Sequence, residues 1–119
     1  MKKLLLLLTC FVLLNFSANA YEQGEKFEDG MIFLYREKVE IYWNDWVGKA
    51  LNHSKVYISG EGKTATFDGV IELNCDSSSG YSWITASTGY DNINTKESDL
   101  KNIVPIQVVS AVFEEFCSK

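Results

Sequence analysis

One histidine, three cysteines and sixteen carboxylates are what this 119-residue chain offers for chemistry. Their spacing argues against most of it. A Ser-His-Asp triad would need His53, the lone histidine, and no Gly-x-Ser-x-Gly elbow accompanies it. Ser77 to Ser79 sit in a run that reads as a turn, and His53 lies in a polar Asn52-His53-Ser54 junction. That context predicts a solvated surface imidazole; the same tripeptide fits a glycosylation sequon, which matters only in a eukaryotic source. Metal chemistry finds no Cys-x-x-Cys and no His-x-x-x-His. Asp91, Asn94 and Glu97 partly fit a calcium loop, but Ile93 stands where an oxygen ligand belongs and the central glycine is missing. Carboxylates are frequent, yet no pair is singled out for glycoside chemistry. The expectation is therefore no catalytic residue, no metal and no cofactor.

The cysteines depend on the compartment. Met1-Lys2-Lys3 is a short basic start, residues 4–14 are nearly all apolar, and Ala18-Asn19-Ala20 supplies the small-x-small site read by signal peptidase. The apolar run is about half of the roughly 20 residues a spanning helix needs. Residues 1–20 are thus expected to be a cleaved signal peptide, with Tyr21 as the new N-terminus. Cys10 does not fit a lipidation site, because Thr9 precedes it and the apolar run continues beyond it. The two-lysine start is bacterial in type, so the expected location is periplasmic or secreted. Cleavage leaves Cys75 and Cys117, an even count in an oxidising space, which predicts a disulfide. Closing that loop is worth about 4 kcal/mol in the chain-entropy picture, and it removes the only thiol nucleophiles.

Charge narrows the partners. Cleavage removes Lys2 and Lys3 and no carboxylate, so the net charge moves from −5 to −7. A chain this acidic, without a basic run, is a poor match for nucleic acid or for an anionic membrane after cleavage. Another protein with a basic surface suits it better. The aromatic residues supply the anchors. Trp46, Phe67 and Trp83 are assigned to the core. Tyr42 and Trp43 would project about 100° apart on a helix, so one of them is expected to be exposed as a recognition side chain.

The elements that position these residues follow from periodicity. Residues 21–30 are polar and glycine-punctuated and read as a flexible N-terminal arm; residues 31–119 read as one domain. Over residues 36–52, Val39, Tyr42 or Trp43, Trp46, Val47, Ala50 and Leu51 recur at helical spacing. A strand reading, with Val39, Ile41 and Trp43 alternating, covers less of the segment, so a helix is expected. Residues 55–59 read as a strand, 60–62 as a turn, and 64–75 as a strand with Ala65, Phe67, Ile71, Leu73 and Cys75 on one face. Residues 81–85 form a third strand and 87–102 a long polar loop. A C-terminal helix starts at Pro105, with Val108, Val109, Val112, Phe113, Phe116 and Cys117 in one stripe. The expected fold is a small α+β domain. An N-terminal helix precedes a three-stranded antiparallel sheet, and a C-terminal helix is tied to that sheet by the disulfide. The expected function is a non-catalytic protein-binding module of inhibitor or immunity type, in the bacterial periplasm or at the cell surface. Alternatives are an envelope-associated structural protein without a tight soluble partner, and a small hydrolase.

Overall fold

Five segments between residues 32 and 88 form a single antiparallel sheet. The computed structural model describes residues 21–63, 65–77, 80–89 and 91–117; the expected signal peptide, with Cys10, lies outside the described residues. The strands are β1 (Ile32–Val39), β2 (Tyr42–Ala50), β3 (Lys55–Gly62), β4 (Thr66–Asn74) and β5 (Gly80–Thr88). Their order in the sheet is their order in the chain, so each pair is a hairpin and no crossover is needed. A short helix α1 (Glu97–Leu100) and a longer helix α2 (Ile106–Cys117) follow.

Alternation decides which face is buried. Trp46, Val56, Ile58, Phe67, Ile71, Leu73, Trp83 and Ala86 point to the inner face, and α2 covers them with Val108, Val109, Ala111 and Val112. Leu100 at the end of α1 and Val104 in the connection to α2 close the same core. Burying each large aliphatic side chain contributes about 1.5–3 kcal/mol, so this one layer of contacts is what makes a short α2 stable. Gly60 lies opposite Trp46 in the β2–β3 register, and a Cβ there would come within 2.8 Å of the indole. The bare backbone is what lets the ring lie flat on β3.

The three-stranded sheet and the N-terminal helix are corrected: the sheet has five strands, and residues 36–52 belong to the β1–β2 hairpin and the turn after it. Helical spacing arose there because β2 carries large apolar residues on both faces. Trp46 is buried inside while Trp43 points out beside Asp45. The hairpin turn, Glu40–Ile41, also lacks the glycine or asparagine that marks such turns. Glu40 instead adopts φ +56°, a region that costs an ordinary side chain about 1–2 kcal/mol. The stretch expected as a loop over 87–102 contains α1 and the fully buried Leu100.

Cys75 and Cys117 are joined, with their Cα atoms 5.4 Å apart. Cys75 follows the end of β4 and Cys117 ends α2, so the bond clamps the last turn of the helix to the foot of the sheet. Residues 21–31 run along β1. Gly24 N–H donates to the Phe33 carbonyl and Phe33 N–H to the Glu25 carbonyl, both at 2.8 Å. The Tyr21 ring packs on Phe27 and Phe33 at 5.0 and 5.5 Å.

Candidate functional site

The register of the first three strands creates an overhang. Asn44 of β2 faces Gly62, the last residue of β3, so Tyr42 and Trp43 extend past the end of β3 with the Glu40–Ile41 turn above them. The start of the β3–β4 connection, at Lys63, lies alongside. Between them lies a groove of ≈ 500 Å³ lined by Ile41, Tyr42, Trp43, Asp45, Glu61, Gly62 and Lys63. That volume falls in the about 300–1,000 Å³ range of ligand and anchor sites. A Cβ on Gly62 would run into the Asn44 amide, so any larger residue there would have to displace that side chain.

The side chains around the groove are held in place. Arg36 Nε donates to Asp45 Oδ1 at 2.6 Å and its terminal nitrogen to Oδ2 at 2.9 Å. This is the bidentate fork that fixes a guanidinium plane. The same guanidinium lies 5.2 Å from the centre of the Trp43 ring, within reach of a cation–π contact. The hydrogen bond to Asp45 outweighs the desolvation of Arg36 and raises its pKa, so the stack is charged at every relevant pH. Trp43 packs against this guanidinium while remaining 50% exposed, and Ile41 at the apex is 87% exposed.

Tyr42 and Trp43, expected to diverge by a helical turn angle, lie instead on opposite faces of β2. Trp43 is exposed and Tyr42 is half-buried, and both reach the groove. Several contributors escaped the sequence reading: Ile41, Arg36, Asp45 and the second wall at Glu61 and Lys63. The nine-residue spacing of Arg36 and Asp45 is symmetric about Glu40–Ile41. That spacing acquires meaning only once the hairpin is recognised.

The remaining candidates are elsewhere. His53 is exposed in the turn between β2 and β3, at the opposite end of the sheet from the groove. The Asp91 carbonyl accepts the Thr88 N–H, the Asn94 side chain accepts the Lys96 N–H, and Glu97 accepts the Tyr81 hydroxyl. These three therefore act as local structural acceptors rather than as one converging set. Among the described residues no group of three or more His, Cys, Asp or Glu is placed to hold a metal ion. Trp46, 2% exposed, keeps its indole N–H without an acceptor among the described residues. Also among the described residues, no helix is long and apolar enough to cross a membrane; this and the disulfide are compatible with export. Compared with models of protein families, with curated proteins and with solved structures, the chain matches none.

Proposed function

We propose that this chain is an exported, non-catalytic binding module that docks another protein through the tip of the β1–β2 hairpin. The observation that carries the reading is the overhang itself: a β-branched Ile41 at the apex and a half-exposed Trp43, clamped by Arg36 and Asp45, beside an open groove. A rigid aromatic next to a concavity is the usual composition of an interface anchor. An apex isoleucine contributes nothing to the core of the free chain, and contact with a partner would bury it.

The cleavable signal and the cysteine pair support action in the periplasm or outside the cell. The net charge of −7 after cleavage favours a partner with a basic face, as for an inhibitor or immunity protein. Such a partner would be steered by long-range attraction and released by salt. The test compares the wild type with Ile41→Ser and Trp43→Ala in binding to the partner recovered from an envelope fraction at low salt. Each substitution should weaken capture, and the two together should abolish it, while leaving the folded state intact. Undiminished capture by the double variant would remove the hairpin tip from the reading.

A further inference from the structure

The two edges of the sheet are treated differently. Along β1, the backbone is met by residues 24 and 25, and Lys26 bridges to Ile32. Along β5, only the C-terminal half is met: Ile93 N–H donates to the Ala86 carbonyl and Thr88 N–H to the Asp91 carbonyl. Among the described residues, no backbone hydrogen bond reaches the outer edge of β5 from Tyr81 to Thr85. Edge strands are usually guarded by charged side chains or proline, and β5 itself carries neither.

Two hollows flank this open stretch. On the inner face, ≈ 50 Å³ lies between Tyr81, Trp83, Leu100, Val104 and Ile106, room for the end of one aliphatic side chain. Ile106, the first residue of α2, is 65% exposed there. Glu97 and Lys101 share that rim with opposite charges. On the opposite face, a shallower hollow of ≈ 480 Å³ is bounded by Glu72, Asn74, Gly80 and Ser82. The exposed Glu72 faces the short Ser82 across the β4–β5 ladder. Lys55 of β3 neighbours Glu72 on its other side, with no salt bridge between them among the described residues.

We propose that an extended, basic segment of a partner protein adds to the free edge of β5 as a sixth strand. In strand addition, main-chain hydrogen bonds supply affinity and hollows for alternate side chains supply specificity. Successive residues of the incoming strand point to opposite faces of the sheet. An aliphatic side chain on the inner face enters the hollow beside Ile106 and covers it. A lysine or arginine on the other face passes over Ser82 toward Glu72, which the small serine leaves accessible. Charge selects this occupant: a net −7 after cleavage attracts a basic segment and opposes a second copy of the chain. The contact spans only Tyr81 to Thr85, so it buries less than the roughly 1,200 Å² of a standard complex and is reversible. It lies on the sheet edge away from the β1–β2 hairpin and stands whether or not the tip binds a partner.

The probe is a short peptide of alternating valine and lysine, titrated into the mature, disulfide-bonded chain and followed by amide chemical shifts. Shifts should concentrate at Tyr81 to Thr85, and hydrogen exchange of the outward amides there should slow. A valine–glutamate peptide should bind about tenfold or more weakly. The lysine peptide methylated on its backbone nitrogens should not bind, because it cannot donate to a ladder. Glu72→Gln and Ile106→Ser should each weaken the lysine peptide about threefold. Ser82→Lys, which sets a like charge in its path, should abolish binding, and Ile41→Ser should leave it unchanged. All four positions are exposed, and circular dichroism checks that the variants remain folded. Absence of shifts at Tyr81 to Thr85 overturns the proposal, as does equal binding of the glutamate peptide or of the methylated one. A chain that dimerises through β5 without peptide gives the edge to a second copy and overturns it as well.

Discussion

The two ends of the sheet are built on opposite terms. At the foot, the turn after β2 is tied by the Asn52 side chain, whose oxygen accepts the Ser54 and Lys55 N–H groups at 2.9 and 2.8 Å. The turn after β4 begins with Asn74, which accepts the Asp76 N–H at 3.1 Å. The disulfide then fastens α2 to the same end. At the tip, Glu40 occupies a left-handed conformation, Ile41 faces water, and the Arg36–Asp45 pair orders a tryptophan outside the core. Stability is gathered at one end, and the strained turn with the most exposed large apolar side chain, Ile41, is kept at the other. Such an arrangement suits the proposed role of the tip, a contact surface carried on a steady scaffold.

Cutting the clamp is the strongest way to break this contrast. Cys75→Ser with Cys117→Ser should cost about 4 kcal/mol, read as a lower urea midpoint. The Arg36–Trp43 stack depends only on β1 and β2, so molecules that remain folded should keep partner binding. A loss below about 1 kcal/mol would mean that the foot is held by packing alone.

The tip responds in the other measurement. Trp43→Ala should weaken partner binding by about 2 kcal/mol, or roughly thirtyfold. It should change unfolding free energy by less than about 1 kcal/mol, because the exposed ring supplies little core contact. Calorimetric titration beside urea unfolding separates the two. If stability falls and affinity does not, Trp43 belongs with the structural foot, and the contrast fails.

The sequence carried the foot more plainly than the tip. Strict alternation of Phe67, Ile71 and Leu73 marks one buried face of β4, and the three-and-four spacing from Val108 to Val112 marks α2. The cysteine pair follows from its compartment; Cys117 ends α2, and Cys75 comes directly after β4, in the turn rather than on the strand's apolar face. The first hairpin was obscured for three reasons. β2 has Trp43 outside and Trp46 inside, β1 carries a bulge between Phe33 and Tyr35 that breaks its parity, and Glu40–Ile41 is an unusual turn dipeptide. Aromatic enrichment drew attention to Tyr42 and Trp43. Arg36, Asp45 and Ile41 needed the register, which is a tertiary fact. In β5 the bulge at Ile84 shifts the pairing in the same way, and α1 is too short to leave a period.

A smaller effect tests the strain at the tip. Glu40→Gly relieves a left-handed side chain worth about 1–2 kcal/mol but frees the unfolded chain by about 0.4–1 kcal/mol. The net gain should lie between about 0 and 1.6 kcal/mol, visible as at most a modest rise in urea midpoint. If the strained turn also holds Ile41 and Trp43 in their binding pose, the same variant should bind its partner more weakly. Gain in both quantities would show that the strain serves no recognition purpose.

The smallest effect is alkaline and belongs to the sheet below the tip. Burial raises the Tyr81 pKa, helped by the charge of Glu97 and the hydrogen bond to it. The hydrogen bond to Asp68, followed by burial, raises that of Tyr57. An unfolded phenol ionises near pH 10. Below that, both states are neutral and these contributions are fully present. As pH rises further, the unfolded chain loses its phenolic protons first, so stability falls until the folded hydroxyls ionise as well. Urea midpoints should therefore hold steady up to about pH 9.5 and decline above about pH 10, with a shallower decline in Tyr57→Phe and in Tyr81→Phe. Arg36, whose pKa is pushed up by Asp45, stays charged throughout, so the Arg36–Trp43 stack at the tip should persist while the sheet loosens. A decline equally steep in both phenylalanine variants would remove these hydroxyls from the account. Loss of partner binding in step with the midpoint would show that tip and foot behave as one unit.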